Sequence, residues 1–212
     1  MEPIVFLDID GVLNNEAFYK DRYLNKKAGQ CPPFPPMTDE DFWKDYCEHR
    51  GVPVETFYTK HKGWYGPEYY PFYHEIQEFD PKCVDILNKF TDKAGAKIVV
   101  SSSWRASGLD WMRTIFKLVD IKAEVIGVTP RIYKESDDDK DERGCEIEAW
   151  LNEHNPDAPY VIFDDDNDMT EFQIEHTFIK VDFMVGLTEK DTAKAEELLA
   201  KQIKGEHDTH KG

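Results

Sequence analysis

Short, mainly apolar segments recur along the chain and alternate with stretches in which apolar residues follow helical spacing. The apolar segments have the length expected of buried strands, and they occupy residues 4–7, 96–100, 123–128, 160–163 and 177–181. The stretches with helical spacing lie at 80–95, 111–118, 144–154 and 188–201. Strands that alternate with helices in this way predict an α/β protein with a parallel sheet.

The helix that follows residue 79 has the clearest end signals. Asp80 can cap its N-terminus, Pro81 suits the first helical position, and Gly95 can end it. Together with the strands before and after it, this helix forms one crossover unit of a parallel sheet. We therefore predict a Rossmann-like parallel sheet with helices on both faces.

Residues 15–79 have a different character. They contain 16 of the 28 aromatic residues and a proline-rich run at 31–36. Helices are predicted at 16–24 and 39–50, and in the second Thr38 is the expected N-cap and Gly51 the expected end.

We interpret 15–79 as a small, mainly helical cap inserted into a core domain of residues 1–14 and 80–204, with a flexible tail at 205–212. Most of the cap's aromatic side chains are expected to pack against one another rather than to stack on a ligand.

Composition limits the classes of function. The 212 residues suit one domain with an insertion. A net charge of −17 argues against sequence-independent binding of long nucleic acid. A short strand end or a mononucleotide remains compatible with that charge. The four cysteines show no metal-finger spacing and are predicted to be reduced thiols. No early apolar run suits a signal peptide or a membrane span, so a cytoplasmic location is predicted.

Two aspartates follow the first predicted strand directly. Asp8 and Asp10 stand two positions apart and so leave the strand end on the same face, while Gly11 lets the backbone turn sharply. Two like charges buried side by side are unfavourable unless a cation lies between them. The pattern predicts a metal-assisted carboxylate site, and its alternative is an ordinary turn with two exposed aspartates.

Polar residues also follow two further predicted strands. Ser101, Ser102 and Arg105 follow the second strand, where hydroxyl, backbone N–H and guanidinium groups can bind phosphate. A serine cluster in that position is also common turn chemistry. Asp164 and Asp165 end the strand at 160–163. Because the carboxyl ends of parallel strands share one edge of the sheet, we expect all these side chains to converge there.

Carboxylate oxygens beside a phosphate-binding edge suit Mg²⁺. The metal is expected to bridge Asp8, Asp164 and a substrate phosphate oxygen. One carboxylate can then act as a nucleophile and form an aspartyl-phosphate, and Asp10 can serve as general acid and then as general base. Arg143, at the start of a predicted helix, would offset charge on the transferring phosphoryl group.

The polar motifs, taken in order, resemble those of the haloacid dehalogenase (HAD) superfamily of phosphotransferases. The string from Ile4 to Asn14, with four apolar residues followed by Asp-Ile-Asp-Gly-Val-Leu-Asn, is similar to the first HAD motif. The resemblance implies that Asp8 is the nucleophile and that Asp10 is the general acid and base. It also implies that the inserted cap selects the substrate.

Matches to the second and third HAD motifs follow along the chain. The hydroxyl of the second motif matches Ser101, with Ser102 as the alternative register. The basic residue of the third motif matches Arg143 best, with Lys134 and Lys140 as weaker alternatives.

The fourth HAD motif matches the aspartate pair at 164–165. The resemblance implies a Mg²⁺ site that takes a backbone carbonyl from the second aspartate of the first motif and is formed by Asp8, Asp10, Asp164 and Asp165. The substrate phosphate is expected to contact Ser101, Ser102, Arg105 and Gly11.

A narrower resemblance covers about residues 1–14 and 80–199. The strings at 95–105, 127–130, 143–151, 164–166 and 186–188 resemble the HAD domain of Swiss-army-knife RNA repair proteins. That family in turn resembles the phosphatase half of polynucleotide kinase–phosphatase. The resemblance implies nucleic acid repair chemistry on a nucleotide or a nucleic-acid 3′-phosphate end, whereas the inserted segment resembles no family that we can name.

The sequence therefore predicts a Mg²⁺-dependent phosphomonoesterase, a HAD-type phosphatase whose partner is a small phosphorylated substrate or a nucleic-acid 3′ end. No membrane contact and no extended nucleic-acid groove are expected. The alternatives are a HAD phosphatase of another small phosphorylated metabolite, phosphotransfer to an acceptor other than water, and a non-catalytic phosphate-binding or partner-binding module.

Overall fold

The computed structural model describes residues 2–27, 35–63, 66–132 and 142–205. Within these residues the strands are β1 (Ile4–Leu7), β2 (His61–Gly63), β3 (Gly66–Tyr69), β4 (Lys97–Val100), β5 (Val125–Val128), β6 (Tyr160–Asp164) and β7 (Phe178–Lys180). The α-helices are α1 (Glu16–Lys27), α2 (Glu40–His49), α3 (Val54–Phe57), α4 (Pro71–Glu75), α5 (Pro81–Ala94), α6 (Leu109–Leu118), α7 (Glu142–His154), α8 (Glu171–His176) and α9 (Glu189–Ile203). A 3-10 helix covers Ser103–Ser107.

Five strands form a parallel sheet in the order β5-β4-β1-β6-β7, and β2 and β3 form a separate antiparallel pair. The chain builds outward from β1 through β4 to β5 and then returns to the other side of β1 to form β6. The order of the strands therefore reverses at β1, which is where open α/β sheets bind their ligands.

Both faces of the sheet are covered, as the apolar strands predict. Val5 and Leu7 of β1 belong to one buried cluster together with residues of α5, α6 and α9. Ile4 and Phe6 belong to a second cluster, which includes Ile147 of α7. Successive side chains of a strand point to opposite faces, so this division shows a sheet enclosed between two helical layers. The predicted α/β fold is confirmed.

The helix signals are largely confirmed. Asp80 accepts a hydrogen bond from the backbone of Lys82, and Gly95 ends α5 in the left-handed conformation with φ of 62°. In α2 the predicted cap is wrong: Asp39, one residue after Thr38, accepts the bond from the backbone of Phe42. A carboxylate is at least as good an N-cap acceptor as a threonine hydroxyl, and it also interacts favourably with the helix dipole.

The segment 15–79 leaves the core and rejoins it at the same place. Asn15 donates a 2.9 Å hydrogen bond from Nδ2 to Oδ2 of Asp80, and the backbone N–H of Asp80 donates to the carbonyl of Leu13 at 2.7 Å. Both side chains are buried. The two ends of the segment are thus tied together beside the first motif.

Aromatic side chains pack the segment internally and against α6. The rings of Trp43 and Phe57 stack with centroids 4.4 Å apart, and the ring of Phe72 stacks on Trp111 of α6 at 4.2 Å. Trp43, Phe57 and Phe72 are fully or almost fully buried, which agrees with the packing role expected for them. The short helices α3 and α4 and the β2–β3 pair were not predicted, because elements of three to five residues carry too little periodicity to recognise.

Among the described residues, no helix is long and apolar enough to cross a membrane. Cys47, Cys83 and Cys145 are free thiols. The fourth cysteine, most of the proline-rich run and the acidic stretch before α7 lie outside the described residues.

Candidate active site at the carboxyl edge of the sheet

Sheet register brings the ends of three strands together. Leu7 pairs with Val100 of β4 on one side and with Phe163 of β6 on the other. The next residues along these strands are Asp8, Ser101 and Asp164, so the register alone sets them side by side. All three are buried, with 6%, 1% and 1% of their surface exposed.

Two of these carboxylates face one guanidinium. Nη1 of Arg143 lies 3.9 Å from Oδ1 of Asp8, and its Nε lies 3.8 Å from Oδ2 of Asp164. Nη1 also donates a hydrogen bond to the carbonyl of Ser101. The site therefore places two buried carboxyl groups beside a single guanidinium.

The pKa values of Asp8 and Asp164 reflect this arrangement. Burial raises the pKa of Asp8 to about 6, although the charge of Arg143 and a hydrogen bond from the Ser102 hydroxyl both favour its ionised form. Burial, followed by the neighbouring charge of Asp8, raises the pKa of Asp164 to about 8, and Arg143 offsets only part of this rise. The fold thus holds two carboxyl groups where ionising both is unfavourable.

Asp165 completes a set of oxygen ligands that suits a divalent cation. One oxygen each of Asp8, Asp164 and Asp165 lies within 4.8 Å of the others. Oδ2 of Asp164 is buried and has no hydrogen-bond partner among the described residues, a condition that costs about 1–3 kcal/mol unless another group satisfies it. Mg²⁺ prefers such hard oxygen ligands. The residues present fit the predicted metal.

Asp10 lies apart from this cluster and is exposed. Its Oδ1 accepts a 2.9 Å hydrogen bond from Nδ2 of Asn14, and its Oδ2 accepts a 3.0 Å bond from the indole Nε1 of Trp104. The hydroxyl of Ser103 lies 3.4 Å from the same Oδ2. The side chain of Asp10 is therefore occupied by donors, and its predicted contact with a metal, through the backbone carbonyl, stays a prediction.

The two candidate serines have different surroundings. The hydroxyl of Ser102 lies near enough to the carboxylate of Asp8 to favour its ionised form, which lowers the pKa of Asp8, and it accepts a 3.4 Å hydrogen bond from the backbone N–H of Trp104. The hydroxyl of Ser101 instead lies 3.5 Å from that of Thr129, and the carbonyl of Ser101 accepts from Arg143. Ser102, the alternative register, is therefore the serine whose hydroxyl favours the ionised form of Asp8, and which serine supplies the hydroxyl of the second motif stays a prediction.

Arg143 owes its position to a close approach at Gly144. The backbone N–H of Gly144 donates a 2.9 Å hydrogen bond to the carbonyl of Asp168, in the loop after β6. A Cβ atom on Gly144 would lie 2.7 Å from the backbone nitrogen of Thr170, so a larger residue would push the start of α7 away. The alternatives, Lys134 and Lys140, lie outside the described residues.

Arg105 has a different set of contacts from the predicted one. Its Nη2 forms an ion pair with Oε2 of Glu146, and its Nη1 donates to the carbonyl of Ser102 at 2.7 Å. The other oxygen of Glu146 accepts from the backbone of Ile132 at 3.1 Å. These contacts tie the Ser102 turn to α7, so they make Arg105 a positioning residue, and its phosphate contact stays a prediction.

Gly11 also has a role other than direct binding. Its φ of 72° lies in the left-handed region, and a Cβ atom there would lie 2.5 Å from Cγ of Asp165. Its backbone N–H already donates to Oδ1 of Asn14 at 2.8 Å. Gly11 therefore makes room for the third carboxylate, and its phosphate contact stays a prediction.

Three residues of the site were given no role from the sequence: Asn14, Trp104 and Glu146. Asn14 and Trp104 stand within the motif strings, four residues after Asp10 and three after Ser101, but no spacing rule assigns them a partner. Glu146 follows Arg143 by three residues, so helical spacing could have placed the two on adjacent parts of one face. Its partnership with Arg105 depends on how α7 packs.

Comparison with known proteins agrees with this geometry. No curated protein matches the chain. The family described as HAD domain in Swiss Army Knife RNA repair proteins matches residues 4–192, a span that includes both aspartate motifs, the serine turn and Arg143. With most of its length matched, the chain belongs to this family and is a HAD superfamily domain of the phosphatase type.

Proposed function

We propose that this protein is a Mg²⁺-dependent phosphomonoesterase that works through an aspartyl-phosphate on Asp8. The observation that carries the proposal is the surroundings of Asp8, which is buried with a guanidinium 3.9 Å away and with the Ser102 hydroxyl near enough to favour its ionised form. A buried carboxylate that lies beside a cation and a hydroxyl is oriented for attack on phosphorus, whereas a solvent-exposed carboxylate is not.

The residues divide the reaction between them. An oxygen of Asp8 attacks phosphorus as the bond to the leaving-group oxygen breaks, and Asp10 gives that oxygen a proton. Arg143 and the Ser102 hydroxyl stabilise the charge on the transferring phosphoryl group. In the second half, Asp10 takes a proton from a water molecule that attacks the aspartyl-phosphate, and Asp8 and inorganic phosphate are released.

Asp8, Asp164 and Asp165 are the residues that would hold the metal, together with the backbone carbonyl of Asp10 that the family resemblance implies. A bound Mg²⁺ supplies positive charge that polarises the phosphoryl oxygens. It would also stabilise the ionised forms of Asp8 and Asp164, whose burial otherwise opposes ionisation.

For the substrate we propose a nucleotide or the 3′-phosphate end of a short nucleic acid. The family description, which refers to RNA repair proteins, supports this class. The net charge of −17 supports a local pocket over a long binding groove. The segment 15–79 is proposed as the substrate-selecting cap, because the Asn15–Asp80 contact ties both of its ends next to the first motif.

The test of the chemistry is phosphate release from an aryl phosphate with and without Mg²⁺. The Asp8→Asn variant should lose at least about 10³-fold in kcat, because the amide is no nucleophile. Asp157→Asn is the matched control, since Asp157 is exposed and precedes β6 at the opposite end of that strand from the site. Normal activity in Asp8→Asn protein contradicts the proposal, as does activity that survives removal of divalent cations.

The test of the substrate is a comparison of kcat/KM for oligonucleotide 3′-phosphates, mononucleotides and sugar phosphates. We expect the nucleotide compounds to be preferred by at least about 10-fold, which corresponds to roughly 1.4 kcal/mol of differential transition-state binding. A preference for sugar phosphates overturns the substrate class and leaves the phosphatase chemistry intact.

A further inference from the structure

The carboxylate of Asp10 is held at both of its oxygens by donors that the proposed chemistry does not use. Asn14 donates to Oδ1 at 2.9 Å, and the indole of Trp104 donates to Oδ2 at 3.0 Å. The two donors come from different parts of the fold, one from the turn after β1 and one from the 3-10 helix after β4. An exposed aspartate would otherwise rotate freely about its side-chain bonds.

Each donor is itself fixed. Asn14 is 2% exposed, and its own Oδ1 accepts the backbone N–H of Gly11 at 2.8 Å, which leaves its amide nitrogen pointing towards Asp10. The indole ring of Trp104 packs edge-on against the buried ring of Phe79, with centroids 5.5 Å apart. The orientation of Asp10 is thus imposed from outside by two packed side chains.

The hydrogen bonds also make the two oxygens of Asp10 unequal. Each carboxylate oxygen has two lone pairs. On Oδ2 one lone pair accepts from the indole, and the hydroxyl of Ser103 lies 3.4 Å from the same atom. On Oδ1 only the Asn14 amide donates among the described residues, so one lone pair stays open for a proton.

We propose that Trp104, with Asn14, is a positioning residue that turns the open lone pair of Asp10 Oδ1 towards the leaving group. This inference rests on the proposed function. In the first half-reaction the Oδ1 proton passes to the leaving-group oxygen as the P–O bond breaks and the bond from Asp8 to phosphorus forms. In the second half-reaction, the same oxygen takes a proton from the attacking water, so Asp10 regains after one turnover the proton that it gave to the leaving group.

Loss of this positioning should slow mainly those substrates whose leaving group needs a proton. An alkyl phosphate has a poor leaving group and depends on protonation, whereas a nitrophenyl phosphate releases a stable phenolate without it. Loss of the indole N–H should therefore lower kcat/KM on alkyl phosphates much more than on aryl phosphates. The parameter kcat/KM is the right one, because it covers the steps up to departure of the leaving group and excludes hydrolysis of the aspartyl-phosphate.

The test is Trp104→Phe, which keeps an aromatic ring against Phe79 and removes the N–H. We expect kcat/KM to fall by about 10- to 100-fold on an alkyl phosphate and by less than about 3-fold on nitrophenyl phosphate. Trp111→Phe is the matched control, since Trp111 donates the same kind of bond, at 3.1 Å, to Glu75 rather than to Asp10. Equal losses on both substrates indicate a merely structural role and overturn the inference.

Two further measurements separate this inference from the proposed function. In the Asp10→Asn background, Trp104→Phe should add no further loss on the alkyl phosphate, and an added loss of full size overturns the positioning role. The Trp104 indole N–H signal in a ¹⁵N spectrum should move in Asp10→Asn protein, and the Trp111 signal should not. An unmoved Trp104 signal overturns the inference even if the enzyme is active. If the wild-type protein releases no phosphate from either ester, the proposed function is overturned, and the positioning role of Trp104 falls with it.

Discussion

Two partly buried arginines, Arg105 and Arg143, both contact the serine turn, and their surroundings differ in one respect. Among the described residues Arg105 has one carboxylate partner, Glu146, and the two side chains are 8% and 2% exposed and directly hydrogen-bonded. Arg143 faces two carboxylates, Asp8 and Asp164, at 3.9 and 3.8 Å, beyond hydrogen-bond distance of either. One region has one carboxylate for one guanidinium, whereas the other has two carboxyl groups for one guanidinium.

The comparison shows which of the two regions is available for chemistry. A buried one-to-one ion pair leaves neither charge without an opposite charge and fixes local structure, even though Nε of Arg105 has no hydrogen-bond partner among the described residues. In the other region, two carboxyl groups share one guanidinium, and Oδ2 of Asp164 has no hydrogen-bond partner among the described residues. Such a site has room for partners from outside, namely a cation and a phosphoryl group. Three predictions follow from this contrast.

The largest expected effect is on stability in the Arg105 region. Arg105→Met leaves the charge of Glu146 buried and unpaired, which should lower the free energy of unfolding by about 3–5 kcal/mol. Lys93→Met, which breaks an exposed ion pair with Glu196, is the control and should change it by less than about 1 kcal/mol. Urea unfolding followed by circular dichroism measures both.

A double variant sharpens this result. Arg105→Met combined with Glu146→Gln removes both charges, and the glutamine oxygen can still accept from the backbone of Ile132. Most of the lost stability should return, since no charge is left buried. If the double variant is as unstable as Arg105→Met alone, the cost does not come from the unpaired carboxylate.

The next effect is on activity in the Arg143 region. Arg143→Met should lower kcat by about 10²- to 10³-fold, which corresponds to roughly 2.7–4 kcal/mol of transition-state stabilisation. Its free energy of unfolding should fall by less than that of Arg105→Met, because Asp164, whose pKa is raised to about 8, can take up a proton in place of the lost cation. Arg143→Lys should recover part of the rate. A stability loss larger than that of Arg105→Met would reverse the comparison.

The smallest effect is the pH dependence of stability without metal. The pKa of Asp164 rises from its ordinary 3.8 to about 8, so between these values the folded state binds more protons than the unfolded state and stability falls as pH rises. From pH 6 to pH 7 in a chelator, the free energy of unfolding should fall by about 1.4 kcal/mol for each proton that differs.

Substitutions in the two regions should separate the source of this fall. Asp164→Asn should flatten the dependence, and Arg105→Met with Glu146→Gln should keep it. A flat wild-type curve over the same interval shows that the excess charge is not buried as described.

The strands and the aspartates were predictable because they follow short-range rules. Four apolar residues before Asp8 predict a buried strand, and parallel strands end at one edge, so Asp8 and Asp164 were expected at the same edge. The pairing of β1 with β6 then places them side by side. Asp80 and Gly95 ended α5 as predicted, because a cap is decided by residues within one turn. In these cases the partner lies close along the chain or is set by sheet register.

The roles of the serines, Arg105 and Trp104 were not predictable in the same way. Ser101 and Ser102 are chemically identical, and only the turn after β4 decides which hydroxyl reaches Asp8. The partner of Arg105 lies 41 positions away, and the carboxylate that accepts from Trp104 lies 94 positions before it. Such pairs depend on the packing of α7 and the 3-10 helix, which no local pattern contains.

The sequence by itself determined the strand ends, the carboxylates they carry and the edge at which these collect, since apolar runs and sheet topology are sufficient for that. Tertiary structure alone decided how each charge is compensated. It joined Arg105 to Glu146, left Arg143 between two carboxylates, and gave Asp10 a donor on each oxygen. The physical reason is that burial and hydrogen bonding depend on distances of a few ångströms between distant segments, and those distances are set only when the helices pack on the sheet.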